Sequence, residues 1–519
     1  MSTPAADNMA NTPINEEPRI EPDTQAPRDQ AWQQDLAKAI TGAQQGLLDL
    51  QHADGYWCFE LEADCTIPAE YIMMMHFMDD IDTGLQSKLA RYIRSKQQSE
   101  GGWPLYLYGK FDISCSVKAY YALKLAGDDT EAPHMRKARE LILQHGGAAR
   151  SNVFTRLALA MFQQIPWRGV PYIPAEIMLL PRWFPFHLTK VSYWTRTVLV
   201  PLTILYSLKA KASNPQQVHV RELFTLDPDK ERNYFQVRSR MNWLLLMLER
   251  AARHLEWAVP GRIRKKAIKR AHDWFVERLN GDDGLGAIFP AMVNAHEALA
   301  LLGYDKDHEL RQTSKRALEK LLVDRGDMAY CQPCVSPVWD TALASAALLE
   351  VSDERSRTHV KSACDWLVER QLTDEAGDWR DIKPDVPGGG WAFQFANPYY
   401  PDLDDTGVVG WVMHDLDPDA YKDSIEKAAR WISGLQSKDG GFAAFDADNT
   451  HYVLNEIPFA DHGALLDPPT SDVTARCVTL LAKHDFEHYR QVIDRALQYL
   501  EQEQEASGAW FGRWGTNYI

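Results

Sequence analysis

The sequence has no apolar run long enough to cross a bilayer, no framework of paired cysteines and no excess of basic residues. The longest apolar candidate, 198–206, falls far short of the roughly 18 residues that a spanning helix needs, and it contains a proline. Seven cysteines cannot all pair, which favours buried or loop thiols in a reducing compartment over a disulfide scaffold. The formal net charge of −16 argues against nucleic acid as a partner, because phosphate binding relies on clustered Lys and Arg. Peripheral membrane attachment stays open, since an apolar patch can replace charge there.

Nearly all of the regular spacing of apolar residues in the chain is typical of α-helix. Residues 1–30 have few large apolar side chains and no secretory signal, so we expect a disordered acidic leader. From residue 33 onward apolar residues recur at three- and four-residue spacing with Gly or Pro between segments, and strand alternation is scarce. The clearest predicted helices are 37–50, 87–97, 116–125, 240–250, 267–278, 360–370, 425–435 and 489–502. The prediction is an all-α protein, and 519 residues favour two cores over one.

A short sequence motif, QxxxGxW, repeats after several of these helices. The copies are 51–57, 97–103 and 504–510, with looser forms at 436–442 and 371–379 and a decayed one at 279–285. The Gly is predicted to end a helix in the left-handed conformation, the Trp to fold over the helix end and the Gln amide to bond exposed backbone. Repetition of this kind indicates one supersecondary unit used many times. The repeat is a structural device and carries no chemistry by itself.

Three carboxylates crowd into four residues at Asp402, Asp404 and Asp405. Like charges this close cannot all ionise cheaply, so at least one should keep its proton to higher pH than an isolated Asp. One interpretation is a solvated turn with an Asp N-cap before a helix over 408–413. The other is a protonated carboxylic acid next to an apolar surface, ready for acid catalysis.

Together the repeats and the DxDD motif resemble one family, the squalene–hopene cyclases, which are class II triterpene cyclases. The resemblance covers the chain from about residue 33 to its end. It rests on the strings SPVWDT (336–341), GGWAFQF (389–395), YYPDLDDT (399–406), DADN (446–449), DPP (467–469), DVTA (472–475) and WFGRWG (510–515).

The resemblance implies two α/α barrels, the toroids of terpenoid cyclases, with one inserted into the other and an apolar cavity between them. The first helix of the catalytic barrel is expected in 31–61, the inserted barrel in 62–332 and the rest of the catalytic barrel in 333–519. The implied activity is the cyclisation of squalene to hopene or its alcohol, in hopanoid biosynthesis. No cofactor and no metal ion is expected. The Asp79 to Asp82 cluster has the wrong spacing for a magnesium motif and is predicted to be a charged turn at a helix end.

The resemblance also assigns catalytic roles. Asp404 is the implied proton donor, and Asp402 and Asp405 tune it. The supporting hydrogen-bond network maps onto Asp340, Asp472 and position 476, where this chain has Arg476 and some members have a His. An arginine can hold a carboxylate bidentately but cannot relay a proton, so restoring the proton would need water.

Aromatic rings are expected to steady the migrating positive charge by cation–π attraction, worth up to about 2 kcal/mol each when desolvated. For any single ring the alternative is ordinary core packing. Asn294 and Phe289 occupy positions that vary among relatives and are expected to influence the fate of the final cation. The candidate rings implied by the resemblance are Trp194, Trp339, Phe393, Phe445, Phe459 and Trp514.

Membrane contact is predicted for the segment 173–206, because 173–186 is rich in Trp, Phe, Leu and Pro and has only Glu176 and Arg182 charged. A water-insoluble substrate such as squalene has to arrive from lipid. The expected location is therefore peripheral, on the cytoplasmic side of the membrane.

Family members continue past residue 519, which leaves the predicted catalytic barrel incomplete at its C-terminus. The sequence leaves open a fragment, a complementing C-terminal chain or a degenerate relative, and it leaves open a homodimer. Two other functions stay open at this point. One is an α/α-barrel glycoside hydrolase that uses two Asp residues as acid and base in a polar cleft; the other is an inactive isoprenoid-binding protein.

Overall fold

Helices dominate the computed structural model, which describes residues 30–351, 353–374 and 377–512. Helix α1 (Gln30–Leu50) belongs to a compact unit of its own, and the second unit begins at Gln51. The helices of the second unit are α2 (Thr66–Met78), α3 (Thr83–Ser95), α4 (Ile113–Leu125), α5 (Pro133–Gln144), α6 (Val153–Met161), α7 (Tyr193–Ser207), α8 (Arg240–His254), α9 (Gly261–Glu277), α10 (Phe289–Leu301), α11 (Glu309–Glu319), α12 (Pro337–Val351), α13 (Glu354–Val368), α14 (Leu403–Leu416), α15 (Lys422–Gly434) and α16 (Ser471–Glu503). Helix α16 breaks at Asp485, which has extended backbone angles.

The all-α prediction is confirmed, and each helix predicted from periodicity lies within or close to an observed one. Within the described ranges the strand content is small: β1 (Leu322–Asp324) and β2 (Ala329–Cys331) form one antiparallel hairpin, alongside a few isolated bridges. The predicted leader falls on residues outside the described ones, apart from Gln30. The helix predicted in 31–61 ends at Leu50, and the nesting of the two barrels with its boundaries at 62 and 333 stays a prediction.

Polar N-caps start many of these helices, because a side-chain oxygen can satisfy a backbone N–H that has no partner in the first turn. Asp82 accepts a hydrogen bond from the N–H of Leu85 at the start of α3. Asp112 accepts one from Cys115 at α4, and Ser239 accepts one from Asn242 at α8. Asp79 ends α2 in the left-handed conformation, so the Asp79–Asp82 cluster is the charged turn that its spacing predicts.

Two kinds of helix alternate along the second unit. The side chains of α4, α10 and α14 are buried almost all round, whereas α3 and α15 bury one face and expose the other. A helix that is apolar all round belongs inside a structure, and an amphipathic one belongs at its surface. Helix α10 packs on α2, α7 and α11, and α14 packs on α12, α13, α15 and α16. Helices α10 and α14 therefore each lie at the centre of a group of helices.

The QxxxGxW copies form a recurring hydrogen-bonded clamp. In the first copy the amide of Gln51 donates to its own turn at Gly55 O (2.6 Å) and to His359 O on α13 (3.0 Å). Gln97 binds Gly101 O and His134 O in the same way, and Gln436 binds Gly440 O and Val492 O. The glycines of these turns have positive φ, between 95° and 104°. Each of these clamps joins the turn after one helix to the backbone of another helix.

The copy that begins at Gln371 differs from its prediction. The Gln371 amide binds Gly389 O (2.8 Å) and Ser424 O (2.9 Å), so its turn is closed by Gly389. The indole of Trp391, not that of Trp379, then donates to Leu367 O four residues before the Gln. Trp103 donates to Ile93 O at the same offset. The sequence motif therefore contains a long insertion, and matching by fixed spacing selected the wrong Trp.

The seven cysteines, all of which lie in the described residues, form no disulfide. In the described part of the chain no helix has both the length and the apolar character needed to span a membrane.

Candidate active site

The three clustered carboxylates lie at the N-terminus of α14, and all three are buried. Asp402 is the N-cap, and its Oδ1 accepts hydrogen bonds from the backbone N–H groups of Asp404 (2.6 Å) and Asp405 (3.3 Å). The N-cap prediction is confirmed. The solvated-turn interpretation is wrong, because the side chains are buried and α14 begins at Leu403, five residues before the predicted start.

Backbone contacts fix this turn between two neighbouring segments. The N–H of Asp402 donates to Trp391 O (2.7 Å), and the N–H of Leu403 donates to Ala444 O (2.8 Å). The hydroxyl of Thr406 accepts from the N–H of Trp391 (3.0 Å) and donates to Asp402 O (2.5 Å). These bonds to the neighbouring segments anchor the acid motif without using the carboxylate oxygens of Asp404 and Asp405.

Arg476, on α16, is the cation of the cluster. Its Nη1 donates to Asp404 Oδ1 at 2.7 Å and lies 3.9 Å from an oxygen of Asp472, one turn earlier on the same helix. A Cβ on Gly407 would lie 3.2 Å from the backbone of Arg476, so the absence of a side chain at 407 allows α14 and α16 to approach this closely. The structure thus places the predicted Asp404, Asp472 and Arg476 together.

Burial raises the pKa of each of the three carboxyls, because the charged form is poorly solvated there. The pKa of Asp404 is raised to about 6 by burial, which Arg476 opposes and Asp472 reinforces. The pKa values of Asp402 and Asp405 are raised further by burial and then by the charges of their neighbours in the motif. One guanidinium can balance one carboxylate, so the cluster retains protons at neutral pH.

Asp405 carries an unusual oxygen: its Oδ1 is buried and has no hydrogen-bond partner within the described ranges. A buried, unbonded carboxylate oxygen would be costly, whereas a protonated carboxyl is far cheaper to bury. Asp405 is therefore the member of the cluster with the least support for a negative charge.

Asp340, on α12, is near the cluster without bonding to it. Its Oδ2 accepts hydrogen bonds from the N–H of Phe59 (2.7 Å) and the hydroxyl of Ser336 (3.0 Å). Its charge nevertheless contributes to raising the pKa of Asp405. Burial also raises the pKa of Asp340 itself.

Contacting aromatic rings connect Trp194, which lines a cavity, with Tyr400, just before the acid motif. Trp194 contacts Phe445 with ring centroids 5.9 Å apart, and Phe445 lies 4.1 Å from Tyr193. Tyr193 in turn lies 4.6 Å from Tyr400, two residues before Asp402. Tyr193 and Tyr400 were missed by sequence reasoning, although the YY pair directly before the acids is a signal that could have identified Tyr400.

The four remaining predicted rings have different surroundings. Trp339 lies under the guanidinium of Arg476, 5.3 Å from ring centroid to cation. Phe459 is buried and contacts Phe154 at 5.8 Å. Phe393 is half-buried, and its carbonyl accepts a hydrogen bond from Val338 at the start of α12. Trp514 lies outside the described residues.

The cavity itself has a volume of about 360 Å³, within the range of small-molecule sites. Trp194, Phe459 and Asn294 line it, together with apolar residues of α2, α6, α7 and α10. Asp404 is not in its wall. Phe289 is not in the wall either; it is fully buried and stacks on Tyr71. A charged set at the cavity, formed by Asp64, Glu70, Lys118 and Glu297, was not identified from the sequence.

The segment predicted to face a membrane is mostly interior. Helix α7 is buried along nearly its whole length, and Ile173 and Met178 are buried too, so exposure is concentrated in 181–186. Within 181–186, Trp183 is 76% exposed and Phe186 39%. A larger set of exposed apolar residues that the sequence analysis missed lies on α8 and on the chain to either side of it. Its exposed members are Val237, Met241, Trp243, Leu244, Met247, Leu248, Leu255, Trp257 and Ile263.

A metal centre finds no support in the part of the chain that the structure describes, where no group of three or more His, Cys, Asp or Glu side chains could hold an ion.

Comparison with known proteins gives matches along almost the whole chain. The profile of the squalene-hopene cyclase N-terminal domain matches residues 40–327, and that of the C-terminal domain matches 335–519. The squalene–hopene cyclase of Bradyrhizobium diazoefficiens is 49% identical over 93% of this chain and 75% of its own length. That of Schizosaccharomyces japonicus is 47% identical over 94% of this chain and 76% of its own length.

Among solved structures, abietadiene synthase from Abies grandis aligns with 93% of this chain and 50% of its own, at 12% identity and a TM-score of 0.43. The sequence matches are much stronger than this structural match. Both domain profiles fit one after the other along the chain, and the sequence identity approaches one half over most of it. The chain belongs to the squalene–hopene cyclase family.

Proposed function

We propose that this chain cyclises squalene to hopene and the corresponding alcohol by protonating a terminal double bond. The observation that carries the proposal is the buried cluster of Asp402, Asp404 and Asp405 held against a single Arg476. An alkene is an extremely weak base, so its protonation needs a strong acid in a site that excludes water. The family membership supports squalene as the substrate.

Asp404 is the proposed donor. Its O–H bond breaks, the proton joins the terminal carbon of the double bond, and the electron pair of that bond forms the new C–H bond. The carboxylate left behind is stabilised by the guanidinium of Arg476, which lies 2.7 Å from Asp404 Oδ1, and by the N-terminus of α14. Asp405 is proposed to keep a proton within the cluster, since its Oδ1 has no donor among the described residues.

The ring cluster is proposed to steady the cation as successive double bonds attack it. Aromatic faces attract positive charge but form no bond that would trap it. Phe445, Tyr193 and Trp194 lie in mutual contact between the cavity wall and Tyr400, which makes them the first candidates. Trp339 already has a cation, that of Arg476, near its ring.

The direct test is to incubate the purified chain with squalene in detergent and to identify products by gas chromatography–mass spectrometry. We expect pentacyclic product from the parent and a loss of more than about 1,000-fold for Asp404→Asn, which keeps the shape and removes the acid. Asp415→Asn is the matched control, because Asp415 lies near the other end of α14 and pairs with Lys483. Equal product from parent and Asp404→Asn would exclude this donor.

The same assay tests the predicted assembly. The parent reaction is repeated with a second polypeptide that carries the remaining part of the family's catalytic domain, the predicted complementing chain. Product formed only with that addition would assign the activity to the pair. Light scattering of the parent in detergent tests the homodimer that the sequence leaves open.

We also propose that the chain docks on a lipid surface, because its substrate is insoluble in water. The observation that supports this is the apolar face on α8 and just beyond it, where Trp243 is 54% exposed and Trp257 85%. Exposed basic residues accompany it, Arg240 and Arg250 on α8 and Lys265 and Lys266 on α9, and these suit an anionic membrane.

Flotation with vesicles of phosphatidylcholine and phosphatidylserine tests the docking surface. We expect the combined change of Trp243, Leu244 and Leu248 to Ser to remove most of the vesicle-bound fraction. Changing Trp183 and Phe186 to Ser should have a smaller effect, since fewer exposed apolar side chains are lost. The control changes Leu343 and Leu497 to Ser, which are exposed to a similar degree elsewhere. An α8 variant that floats like the parent would refute docking through α8.

A further inference from the structure

A second, smaller cavity lies beside the N-terminus of α8 and has a volume of about 240 Å³. A water molecule fills about 30 Å³ of the liquid, so this space admits a group the size of phosphate. Asn152 borders both this cavity and the larger one of 360 Å³, so the two are neighbours. The charged members of its described lining are three arginines and one acid: Arg150, Arg156, Arg238 and Asp461.

This balance of charge is opposite to that of the chain, which has 72 Asp and Glu against 56 Lys and Arg. The one acid is already in use, because Asp461 Oδ2 accepts a hydrogen bond from Arg156 Nη2 at 2.8 Å and Oδ1 accepts one from the N–H of Val153 at 3.1 Å. One carboxylate balances one guanidinium. The charges of Arg150 and Arg238 therefore have no counterpart among the described residues that line the cavity.

Two further carboxylates act on the surroundings of the cavity without lining it. Glu249 pairs with Arg253, one turn further along α8, and Glu456 accepts a hydrogen bond from the hydroxyl of Ser239 at 2.6 Å. Both are thus engaged by groups outside the cavity, and the interior keeps its positive charge.

Arg150 and Arg238 are exposed and stand at the mouth of the cavity. Arg150 Nη1 donates to Asn233 O at 2.7 Å, and Arg238 Nη2 donates to Asn455 O at 3.4 Å. A guanidinium has five N–H donors in a planar fork, so each of these side chains retains donors for a ligand.

Ser151 and Arg156 form the buried base, where they are 3% and 2% exposed. The hydroxyl of Ser151 and Nε of Arg156 have no hydrogen-bond partner within the described ranges. Burial lowers the pKa of the Arg156 guanidinium, and Asp461 opposes this effect only in part. A buried donor without an acceptor is unfavourable, so the base of the cavity is suited to an anion that brings several oxygens.

We propose that this cavity binds a phosphate group, with Arg150 and Arg238 at its mouth and Ser151 and Arg156 at its base. Phosphate presents three or four charged acceptor oxygens, which match two arginine forks and a hydroxyl better than the two oxygens of a carboxylate do. The group has two sources, a free phosphate ion or the headgroup of a phospholipid. The inference is independent of the reaction proposed for the acid cluster, because binding here makes and breaks no covalent bond.

Titration calorimetry of the full chain tests the site with two probes, inorganic phosphate and dihexanoyl phosphatidic acid, at constant ionic strength and with the detergent buffer as the blank. We expect at least one probe to bind one-to-one with a Kd below about 1 mM, which two or three charge-assisted hydrogen bonds provide. Lipid that binds at least about tenfold more tightly than the ion supports a headgroup as the ligand, and equal affinity supports a free phosphate. Acetate is the control for a site that accepts any anion.

The variants locate the binding. Arg150→Gln combined with Arg238→Gln should weaken phosphate binding at least about tenfold, because two charge-assisted hydrogen bonds are lost. Arg136→Gln combined with Arg232→Gln is the matched control, since both arginines are exposed, the change in net charge is the same and neither lines the cavity. Ser151→Ala should weaken binding about threefold. It removes a hydroxyl that has no partner among the described residues, so the fold does not depend on it.

Three results would overturn the site. The first is the absence of saturable binding of either probe by the parent up to about 10 mM. The second is parent-like affinity in either Arg150→Gln with Arg238→Gln or Ser151→Ala. The third is acetate binding as tight as that of phosphate, since the cavity would then not select a phosphate group.

Discussion

The acid cluster and the charged wall of the larger cavity, formed by Asp64, Glu70, Lys118 and Glu297, are built in opposite ways. The acids come from one turn of chain, 402–405, and their partner Arg476 lies within the first turns of α16. The charged wall draws Glu70, Lys118 and Glu297 from three separate helices. In the acid cluster three carboxyls share one cation; in the wall one carboxylate has a cation of its own and another is neutral.

This difference shows which interactions stabilise each region. The acid cluster relies on local main-chain bonds, such as those of Asp402 to the N–H groups of Asp404 and Asp405, and it stores protons because its charges are not balanced. The wall relies on packing between helices and on a single buried ion pair. Removing the cation should therefore change chemistry in the acid cluster, where Arg476 faces the donor, and stability in the wall, where Lys118 is paired.

The largest expected effect is on the ion pair of the wall. Lys118→Met leaves Glu70, whose side chain is only 20% exposed, without its cation, and we expect the free energy of unfolding to fall by about 3 kcal/mol. The double change Glu70→Gln with Lys118→Met should recover most of that loss, because no lone charge remains. Urea unfolding followed by circular dichroism measures both. A single variant no less stable than the double one would contradict the importance of the pair.

The next effect is on the cation of the acid cluster. Arg476→Met removes the group that stabilises the Asp404 carboxylate, so we expect kcat/KM for squalene to fall about 100-fold. Arg476 also lowers the pKa of Asp404, which is about 6 in its presence. The acid must be protonated to act, so activity is lost as pH rises through this value, and the loss should move to higher pH in the variant.

Lys483→Met is the matched control for that change, since Lys483 lies on the same helix and pairs with Asp415. A pH–rate profile of Arg476→Met that matches the parent would show that Arg476 does not act on the donor.

The smallest effect concerns the unbonded acid of the cluster. Because the pKa of Asp405 is raised by folding, the folded state binds more protons than the unfolded state above about pH 4, so stability falls as pH rises. Asp405→Asn removes this contribution. Between pH 5 and pH 7 the variant should gain about 1–2 kcal/mol on the parent, measured by urea unfolding at each pH. The same difference at both pH values would contradict a raised pKa.

Much of the acid cluster could be predicted from the sequence, because its residues are contiguous and their geometry is local. An Asp before an apolar helix predicts an N-cap, and Asp402 is one. The start of α14 was placed too late because Asp404 and Asp405 were treated as turn residues, although acidic side chains are favourable in a first helical turn. The assignment of Asp404 as donor stays a prediction.

The charged wall could not be predicted, because nothing in the sequence relates Glu70, Lys118 and Glu297 until the helices pack. The same limit applies to α8. Its apolar residues have helical spacing, which predicts the helix but not which of its faces is exposed, and only the structure shows that Trp243 and Leu248 are exposed. The prediction for the QxxxGxW copy at Gln371 was wrong for a different reason. A long insertion separates this Gln from Gly389, which closes its turn.

The Gln clamps have a consequence for how the sequence can change over time. Each clamp reaches another helix through a main-chain carbonyl, at His359, His134, Ser424 or Val492. At His359 the Gln51 amide oxygen is also hydrogen-bonded to the imidazole. These four acceptors belong to residues as different as a histidine, a serine and a valine, because every residue presents the same carbonyl oxygen. Mutations at His134, Ser424 and Val492 therefore keep the carbonyl that receives the clamp, so these positions can change in sequence while their helices remain joined to the turns.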